Sequence, residues 1–404
     1  MLRTADRALD GTDPTLRRAR DAVALTFVLN GLVFASLVSR LPDVRERLAL
    51  SNGALGLLLL AVAIGSLVAL PSTGHVITRL GAGATVRLGA GLDTCGLAVA
   101  AVGVTAGSLP LTAAGLLVHG TGIGVWDVAM NVEAAEVERR LARTIMPRFH
   151  AGWSLGSILG AGVGVLVLAL GLPLLAHLLA VSVVALVLAW GSAARFWPAQ
   201  PPAAEPLSPL VRPVRRSAWT EPRTLAIGVM VLCFAMVEGT ANDWLSLALI
   251  DGYGVEQWVG VAGFTLFVVA MTVGRLVGPL LLDRWGRAPV LLGCAGLALL
   301  GALLTALGGT LVLVALGILV WGLGASLGFP VGMSAAADDP EGAALRVSVV
   351  STIGYGAFLA GPPLLGRLAD RIGTLEVLLV VAALMLPAAL SVGATRVRSD
   401  VVGS

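Results

Sequence analysis

Charged residues are scarce in this chain, and lysine is absent. Only 13% of the 404 residues are charged, all 27 basic residues are arginine, and the mean hydropathy is +0.92. Soluble globular proteins usually carry about 25% charged residues, so this composition excludes an ordinary soluble domain. The three cysteines lie far apart, and neither they nor the four histidines show a metal-ligand or CxxC spacing. We therefore expect no disulfide framework, no metal site and no cofactor.

Two further absences limit the energy source and the chemistry. The phosphate-binding loop GxxxxGK[ST] does not occur, which argues against ATP as the energy source. The histidines and carboxylates are scattered along the chain and do not suggest a Ser–His or a paired-Asp catalytic site. The sequence therefore does not predict an enzyme.

Twelve apolar stretches of membrane-spanning length fill the sequence. A span needs about 20 apolar residues, and backbone amides in hydrocarbon must be satisfied inside a helix. The first stretch leads into further spans, so we interpret it as a membrane helix and not as a cleaved signal. The predicted spans are Ala22–Arg40, Ala54–Val76, Thr85–Ala106, Leu111–Met130, Phe149–Leu170, Pro173–Arg195, Leu225–Ile250, Trp258–Leu282, Pro289–Leu307, Thr310–Ala335, Val347–Leu368 and Leu375–Ala394.

The twelve stretches form two sets of six, which predicts an all-α membrane protein made of two pseudo-symmetric six-helix bundles. We assign residues 21–195 to the first bundle and residues 221–396 to the second. The segment 196–220 contains six prolines and three arginines, which is typical of an extended linker. Residues 1–20 and 397–404 are the predicted tails.

Glycine and arginine positions repeat between the two halves, which indicates a duplicated six-helix unit. A chain with a dozen spans in two matching halves is typical of a solute transporter. The matching positions are Gly120 and Gly122 with Gly322 and Gly324, and Arg148 and Gly156 with Arg346 and Gly354.

Arginines concentrate in the tails and in every second connection. With the N-terminus inside, 21 of the 27 lie on the inner side, five lie on the outer side, and Arg275 lies within a span. The positive-inside rule then predicts that both termini are cytoplasmic. We expect the bilayer to be the inner membrane of a bacterium.

Three connections carry a charged motif. They read GHVITRLG at residues 74–81, DRWGR at 283–287 and GRLADRIG at 366–373. These segments resemble the Gly-x-x-x-Asp-Arg-x-Gly signature of the major facilitator superfamily, with Thr78 in the Asp position of the first copy. Asp and Arg at a helix end can pair with a neighbouring helix or its dipole, although an inner-side arginine beside a turn glycine explains any single copy. The predicted gating or latch residues are Arg79, Asp283, Arg284, Arg287, Arg148, Asp370 and Arg371.

A closer resemblance rests on three stretches within the predicted spans. They read GVWDVAMN at residues 124–131, PRFHAGWSLG at 147–156 and EGTANDW at 238–244. They are similar to a bacterial inner-membrane branch of that superfamily, the YbjJ-type branch related to fucose permease. The resemblance implies a major facilitator fold, alternating access, and a central cavity lined by the first, fourth, seventh and tenth helices.

Polar residues fall in the helices that this resemblance places around the cavity. A charged side chain in a span costs several kcal/mol unless it is paired or hydrated, so each one is a functional candidate. Glu238 and Asn242 are four residues apart and share a helix face, whereas Asp243 faces the cavity as well only if the helix is distorted near Gly239. The predicted proton-coupling and substrate residues are Glu238, Asp243, Asn242, Asp127, His119, Asn131, His150, Trp244 and Asn30.

Glu238 is the first choice for the proton-coupling group, because a carboxyl in apolar surroundings can take up and release a proton. The alternative is a structural carboxylate paired with an arginine or an amide. Asp127 and His150 come next, or they form an inner-gate network. Arg275 is expected to pair with a carboxylate, and Asp93 is expected to serve helix packing.

Small and aromatic residues complete the pattern. Gly152, Gly156, Gly160 and Gly164 form a four-residue repeat that favours close helix packing. The charged run from Glu133 to Arg148 is typical of a solvated helix. Aromatic side chains for stacking on a ligand such as a sugar are Trp153, Trp244, Trp321 and Tyr355, although packing or lipid contact explains them equally well.

The sequence therefore predicts a secondary active transporter that moves a small polar or amphipathic solute, coupled to protons. The first alternative is a proton-driven exporter of a drug or secondary metabolite, and a remote alternative is a non-transporting membrane sensor. The expected partners are the solute, the proton and the lipid bilayer. We expect a monomer and no nucleic-acid partner.

Overall fold

A computed structural model describes residues 13–141, 145–197, 218–336, 338 and 343–396. Over these ranges the chain is helical and contains no strand, which confirms the all-α prediction. Twelve helical segments in the same ranges are long and apolar enough to cross a membrane, as the sequence predicts. Most of the predicted linker (residues 198–217), the first part of the N-terminal tail and the whole C-terminal tail lie outside the described residues.

Within each half, most helices follow one another with short connections. Their bounds are α1 Pro14–Val38, α2 Leu41–Arg47, α3 Asn52–Leu80, α4 Ala82–Thr105, α5 Leu109–Leu141, α6 Met146–Ala169, α7 Leu174–Ala193, α8 Pro222–Tyr253, α9 Gln257–Trp285, α10 Arg287–Leu307, α11 Leu311–Ala325, α12 Gly328–Ala336, α13 Ala343–Ile372 and α14 Leu378–Ser391. Two short 3₁₀ turns, Ala218–Thr220 and Val392–Thr395, lie before α8 and after α14.

Some helices extend beyond the bounds of the predicted spans. The first helix begins at Pro14, inside the predicted tail, because the Asp13 carboxylate accepts a hydrogen bond from the Thr15 N–H at 2.8 Å and proline suits the first helical position. The fourth predicted span continues as α5 to Leu141, so the charged run from Glu133 is helical up to Leu141, and residues 142–144 lie outside the described residues. The expectation of a solvated helix is wrong for Glu133, which is buried and accepts the Trp197 N–H. Three glycines with φ of +66° end helices at tight turns, namely Gly107, Gly171 and Gly309.

The chain divides into two units of packed helices. The first holds Met1–Ser51 and Leu57–Pro206, and the second holds Asn52–Gly56 and Leu207–Ser404. In the first unit α1 packs on α6 and α7, and α4 packs on α5 and α7. In the second unit α8 packs on α13 and α14, and α10 packs on α11 and α14. The same pairs of elements therefore meet in each half.

Matching glycines make similar close contacts in the two halves. A methyl group at Gly120 would collide with the backbone of Val62 on α3, and one at Gly322 would approach the backbone of Phe267 on α9. Such close approach of backbones is typical of small residues at membrane helix interfaces. The predicted match between the two sets of glycines is therefore a match of packing roles.

The packing stripe on α6 works in the same way. A methyl group at Gly156 would collide with the carbonyl oxygen of Val28 on α1, and one at Gly160 would collide with that of Leu32. Gly354, the counterpart of Gly156, faces the side chain of Val231 on α8. Val28 and Val231 thus occupy equivalent places, which allows residues of the two halves to be compared.

Candidate functional site

An ion pair lies between α8 and α9 in the second unit, and we call it the charge site. The Arg275 guanidinium donates through one nitrogen to both Glu238 oxygens, at 3.1 and 3.0 Å. The side chains are only 13% (Glu238) and 28% (Arg275) exposed. Arg275 therefore pairs with a carboxylate as expected, and that carboxylate is Glu238, the predicted coupling group. The pairing with an arginine is also what the alternative of a structural carboxylate predicts, so the coupling role stays a prediction.

The position of Glu238 has no charged counterpart in the described part of the first half. Glu238 follows Val231 by seven residues, and the residue that follows Val28 by the same distance is Ala35, which is fully buried. A scaffold built by duplication thus carries an ion pair in one half and an alanine at the matching position of the other.

Arg275 also contacts an interruption in the tenth span, which the sequence analysis treated as one helix. Helix α11 ends at Ala325 and α12 begins at Gly328, so the predicted span Thr310–Ala335 matches one segment of spanning length, Leu311–Ala336, that consists of two helices. The Arg275 Nε–H donates to the carbonyl oxygen of Ser326 at 3.3 Å, where the helix ladder is broken. Interrupted helices in transporters expose backbone groups that bind ions or polar solutes.

Glycines bring the three elements of the charge site together. A methyl group at Gly274 would collide with the Ser326 side chain, and one at Gly328 would collide with the ring of Phe234 on α8. The run of glycines from Gly322 to Gly328, followed by Pro330, is a breaker signal that could have predicted the interruption.

The next helical turn of α8 carries three more predicted site residues. Asn242 and Asp243 are half-buried, and neither makes a hydrogen bond or ion pair with any described residue. Trp244 beside them is fully buried, and its indole N–H has no acceptor in the described part of the chain. Two carboxylates therefore lie within about one and a half turns of α8. Glu238 is paired with an arginine, and Asp243 has no partner among the described residues.

In the first unit, the predicted polar residues form separate local pairs. The Asn131 amide donates to the Asp127 carboxylate at 3.2 Å and to the Asp127 carbonyl at 2.8 Å, all within α5. Asn30 on α1 accepts a hydrogen bond from the Trp153 indole on α6 at 2.9 Å. The Asn30 amide nitrogen is buried and has no acceptor among the described residues. Phe34 lies beside Trp153, with ring centroids 5.6 Å apart.

His119 lies in the packing interface between α4 and α5. Its Nδ1 is 2.5 Å from a carboxylate oxygen of Asp93, and both side chains are fully buried. A methyl group at Gly122 would collide with the Asp93 backbone, whereas its counterpart Gly324 faces Ala298. In this structure His119 faces α4, which fits the expectation that Asp93 serves helix packing.

His150 and Arg148 lie at the start of α6 and are exposed. The His150 ring is edge-on to Phe27, with centroids 5.3 Å apart. The inner-gate network of Asp127 and His150 with Arg148 and Asn131 stays a prediction.

Two of the predicted latch residues make hydrogen bonds in the second unit. Both Asp370 oxygens accept backbone N–H groups at 2.8 Å, from Asn52 and Gly53 in the first turn of α3. Arg287 donates to Asp338 at 2.6 Å and to Ser334 at 3.0 Å. Asp283, which the motif places near Arg287, has no partner in the described ranges.

The other latch residues lie at exposed helix ends. The Arg284 guanidinium is 5.7 Å from the centre of the Trp285 ring. For Arg79, Arg148 and Arg371 no hydrogen bond or ion pair to a described residue is found. A latch that uses these three arginines remains a prediction.

A buried arginine network in the first unit was missed by sequence reasoning. Arg40 is 1% exposed and donates to His177 Nδ1 at 3.1 Å, to Asp43 at 2.8 Å and to the Leu172 carbonyl at 3.0 Å. Its position at the end of a predicted span suggested an ordinary loop arginine. Only the fold brings α1, α2 and α7 around it.

No described residues form a group of three or more His, Cys, Asp or Glu side chains able to hold a metal ion. The arrangement of the charge site instead suits the binding of a proton or a charged group.

Comparisons with known proteins cover almost the whole chain. The sequence profile of the Major Facilitator Superfamily matches residues 23–362. An uncharacterized transporter of Sinorhizobium fredii is 34% identical over 358 residues, which cover 86% of this chain and 90% of the relative. A mutant of the nucleoside transporter NupG superposes with a TM-score of 0.75 at 16% identity, covering 94% of this chain and 99% of the other. A D-xylose-proton symporter superposes with a TM-score of 0.69 at 16% identity, covering 93% and 97%.

Proposed function

The chain belongs to the major facilitator superfamily and is an integral membrane transporter, and from this premise we propose that it couples the movement of a small polar or amphipathic solute to a proton through the charge site. The observation that carries the proposal is the Glu238–Arg275 pair against the interrupted tenth span. A protonatable carboxylate and a permanent cation meet there at a carbonyl group that the helix does not satisfy.

The proposed coupling step is a proton transfer to Glu238. When a proton binds one carboxylate oxygen, Glu238 becomes neutral and loses its charge-assisted hydrogen bonds to Arg275. Arg275 keeps its charge at any physiological pH, so the nitrogen released by Glu238 then needs another acceptor, such as an incoming polar solute, while the Nε–H still donates to the Ser326 carbonyl. Release of the proton restores the pair. Protonation thereby changes what holds α8, α9 and the interruption of the tenth span together.

Asp243 offers the solute or a proton a second binding point. It lies on the same helix as Glu238, half-buried and without a partner among the described residues. The first unit holds a separate candidate surface, made of the buried Asn30 amide and the rings of Phe34 and Trp153. This donor and these rings suit a polar ring compound with acceptor oxygens.

The location follows from the same proposal. We place the protein in a bacterial inner membrane as a monomer with both termini in the cytoplasm, on the strength of the arginine distribution. The three stretches at residues 124–131, 147–156 and 238–244 support the YbjJ-type, fucose-permease-like branch.

The test is transport in proteoliposomes with an imposed proton gradient. The panel contains D-xylose, uridine and small amphipathic cations, and the direction of gradient-driven flux distinguishes import from export. Wild type is compared with Glu238→Gln, in which the carboxyl can no longer exchange a proton. We expect the variant to lose gradient-driven flux while it retains exchange of solute at equal pH.

The matched control is Glu256→Gln, which removes an exposed carboxylate near the start of α9. In the native protein this carboxylate accepts a hydrogen bond from the Trp258 indole N–H. This control is expected to transport like wild type. Full gradient-driven flux in Glu238→Gln would overturn the coupling role of the charge site. If no compound of the panel moved in wild type, the proposed solute class would be wrong.

A further inference from the structure

A groove of about 310 Å³ opens at the start of α10 and shares no lining residue with the charge site. It is lined by Gly286, Arg287, Ala288, Pro289, Leu292 and Arg396. The arginines come from the beginning of α10 and from the segment after α14. The proposed transport step uses none of these residues.

The groove has more positive charge than its described acids can neutralise. The carboxylate of Asp338 is shared, with one oxygen 2.6 Å from Arg287 and the other 2.9 Å from Arg223. One negative charge therefore faces two guanidinium groups. The Arg396 side chain makes no hydrogen bond or ion pair with any described residue.

Contacts within the second unit hold the backbone around Arg396 in place. The Arg223 side chain donates to the carbonyl oxygens of Ala394 at 2.9 Å and of Arg396 at 3.4 Å. Arg223 thus ties the chain after α14 to the same cluster that contains Asp338. The free guanidinium is held beside the groove by backbone contacts and is not on an untethered tail.

The wall of the groove is amphipathic. Leu292 is 46% exposed on α10, and Trp285, just before the groove, is 57% exposed. Exposed tryptophans at the ends of membrane helices prefer the interface between lipid tails and headgroups. Arg287 and Ala288 open α10, whose N-cap residue Gly286 supplies no side-chain cap, so the backbone N–H groups of the first turn add to the positive potential.

We propose that this groove binds the phosphate of an anionic phospholipid, with the headgroup at Arg287 and Arg396 and an acyl chain along Leu292. A phosphate oxygen satisfies the excess guanidinium charge that Asp338 leaves uncompensated. The exposed leucine beside the arginines favours a lipid over free phosphate, which would use only the polar half of the groove. Basic pockets at membrane helix ends bind anionic headgroups in this way.

The test measures lipid retention by native mass spectrometry of the purified full-length protein. The protein is exchanged into detergent containing either phosphatidylglycerol or phosphatidylcholine, and bound lipid is counted for wild type and Arg396→Gln. We expect the variant to lose phosphatidylglycerol affinity about fivefold, the change typical of one arginine near an anionic surface. Phosphatidylcholine binding is expected to stay the same.

Arg371→Gln is the matched control, because Arg371 is also an exposed arginine without a described partner, at the end of α13. It is expected to retain phosphatidylglycerol like wild type. An equal loss in both variants would overturn the proposal, because it would show a general effect of charge. Displacement of phosphatidylglycerol by millimolar inorganic phosphate would overturn the lipid as the ligand, and unchanged binding in Arg396→Gln would overturn the groove as the site.

Discussion

Replacing Glu238 by glutamine should leave the charge of Arg275 without its partner. In the native protein the two side chains are 3.0 Å apart, and Arg275 is 28% exposed. At that distance and an effective dielectric constant of about 20, the gross attraction is about 5 kcal/mol, most of which is offset by the cost of desolvating both groups. The pair is therefore worth little net, but breaking it from one side is costly.

The two single variants should differ. Glu238→Gln leaves an unpaired guanidinium that cannot lose its proton. We expect the free energy of unfolding to fall by about 1–3 kcal/mol. This is less than the roughly 3–5 kcal/mol expected for a fully buried pair, because water reaches Arg275. Arg275→Gln leaves a carboxylate that can become neutral by taking up a proton, so its cost should be smaller. The double variant should be destabilised by about 1 kcal/mol or less, since neither charge remains unpaired.

The assay is unfolding in mixed micelles of increasing denaturing detergent, followed by circular dichroism. The double-mutant cycle should give a coupling free energy of about 1–2 kcal/mol between Glu238 and Arg275. Additive effects within about 0.5 kcal/mol would refute the reasoning. A larger loss for Arg275→Gln than for Glu238→Gln would refute the part that rests on proton uptake.

Three further changes test other parts of the structure. Gly156→Ala should destabilise the protein by about 1–3 kcal/mol, because the new methyl group meets a backbone carbonyl of α1, and thermal unfolding in detergent should show the loss. Asp370→Ala should cost about 0.5–2 kcal/mol, because two N–H groups of the first turn of α3 lose their acceptor, and hydrogen exchange at Asn52 and Gly53 should rise. Arg40→Gln should lower the free energy of unfolding by about 2–4 kcal/mol, because the buried His177 and the two partly buried acceptors on Asp43 and Leu172 lose their donor, and thermal unfolding again measures it.

Each of these variants has a control on the same or a neighbouring helix. Gly162→Ala places a methyl group in open space on α6 and should be neutral or stabilising by up to about 1 kcal/mol. Arg371→Ala and Arg47→Ala remove exposed arginines beside Asp370 and near Arg40, and both should change stability by less than about 0.5 kcal/mol. A control as damaging as its partner variant would contradict the contact assigned to that partner.

Much of the architecture was predictable because a membrane imposes simple rules. The number of spans follows from apolar length, and the helical state follows from the need to satisfy backbone amides without water. The matching of Gly120 with Gly322 was visible as a spacing and proved to be a shared packing role, because only glycine permits such close backbone contact. The role of Gly156 in packing was predictable for the same reason.

The composition of the candidate site was only partly predictable. Glu238 stood out because a carboxyl in a span is costly, and Arg275 stood out for its charge, but their pairing depends on the facing of two helices. His119 was placed among the cavity residues by its helix, whereas the fold turns its ring toward Asp93. Arg40 attracted no attention, since an arginine at a span end is ordinary.

By itself the sequence determined the class of protein, the count of helices and their duplication, because these depend on local hydropathy and spacing. Only the tertiary structure decided which charges meet. An ion pair requires two side chains from distant parts of the chain to face each other within about 4 Å, and rotation of either helix separates them. The interruption of the tenth span at Ser326 also depends on the tertiary structure. Its carbonyl group lies outside the helical hydrogen-bond pattern and needs a donor from another helix, which is Arg275.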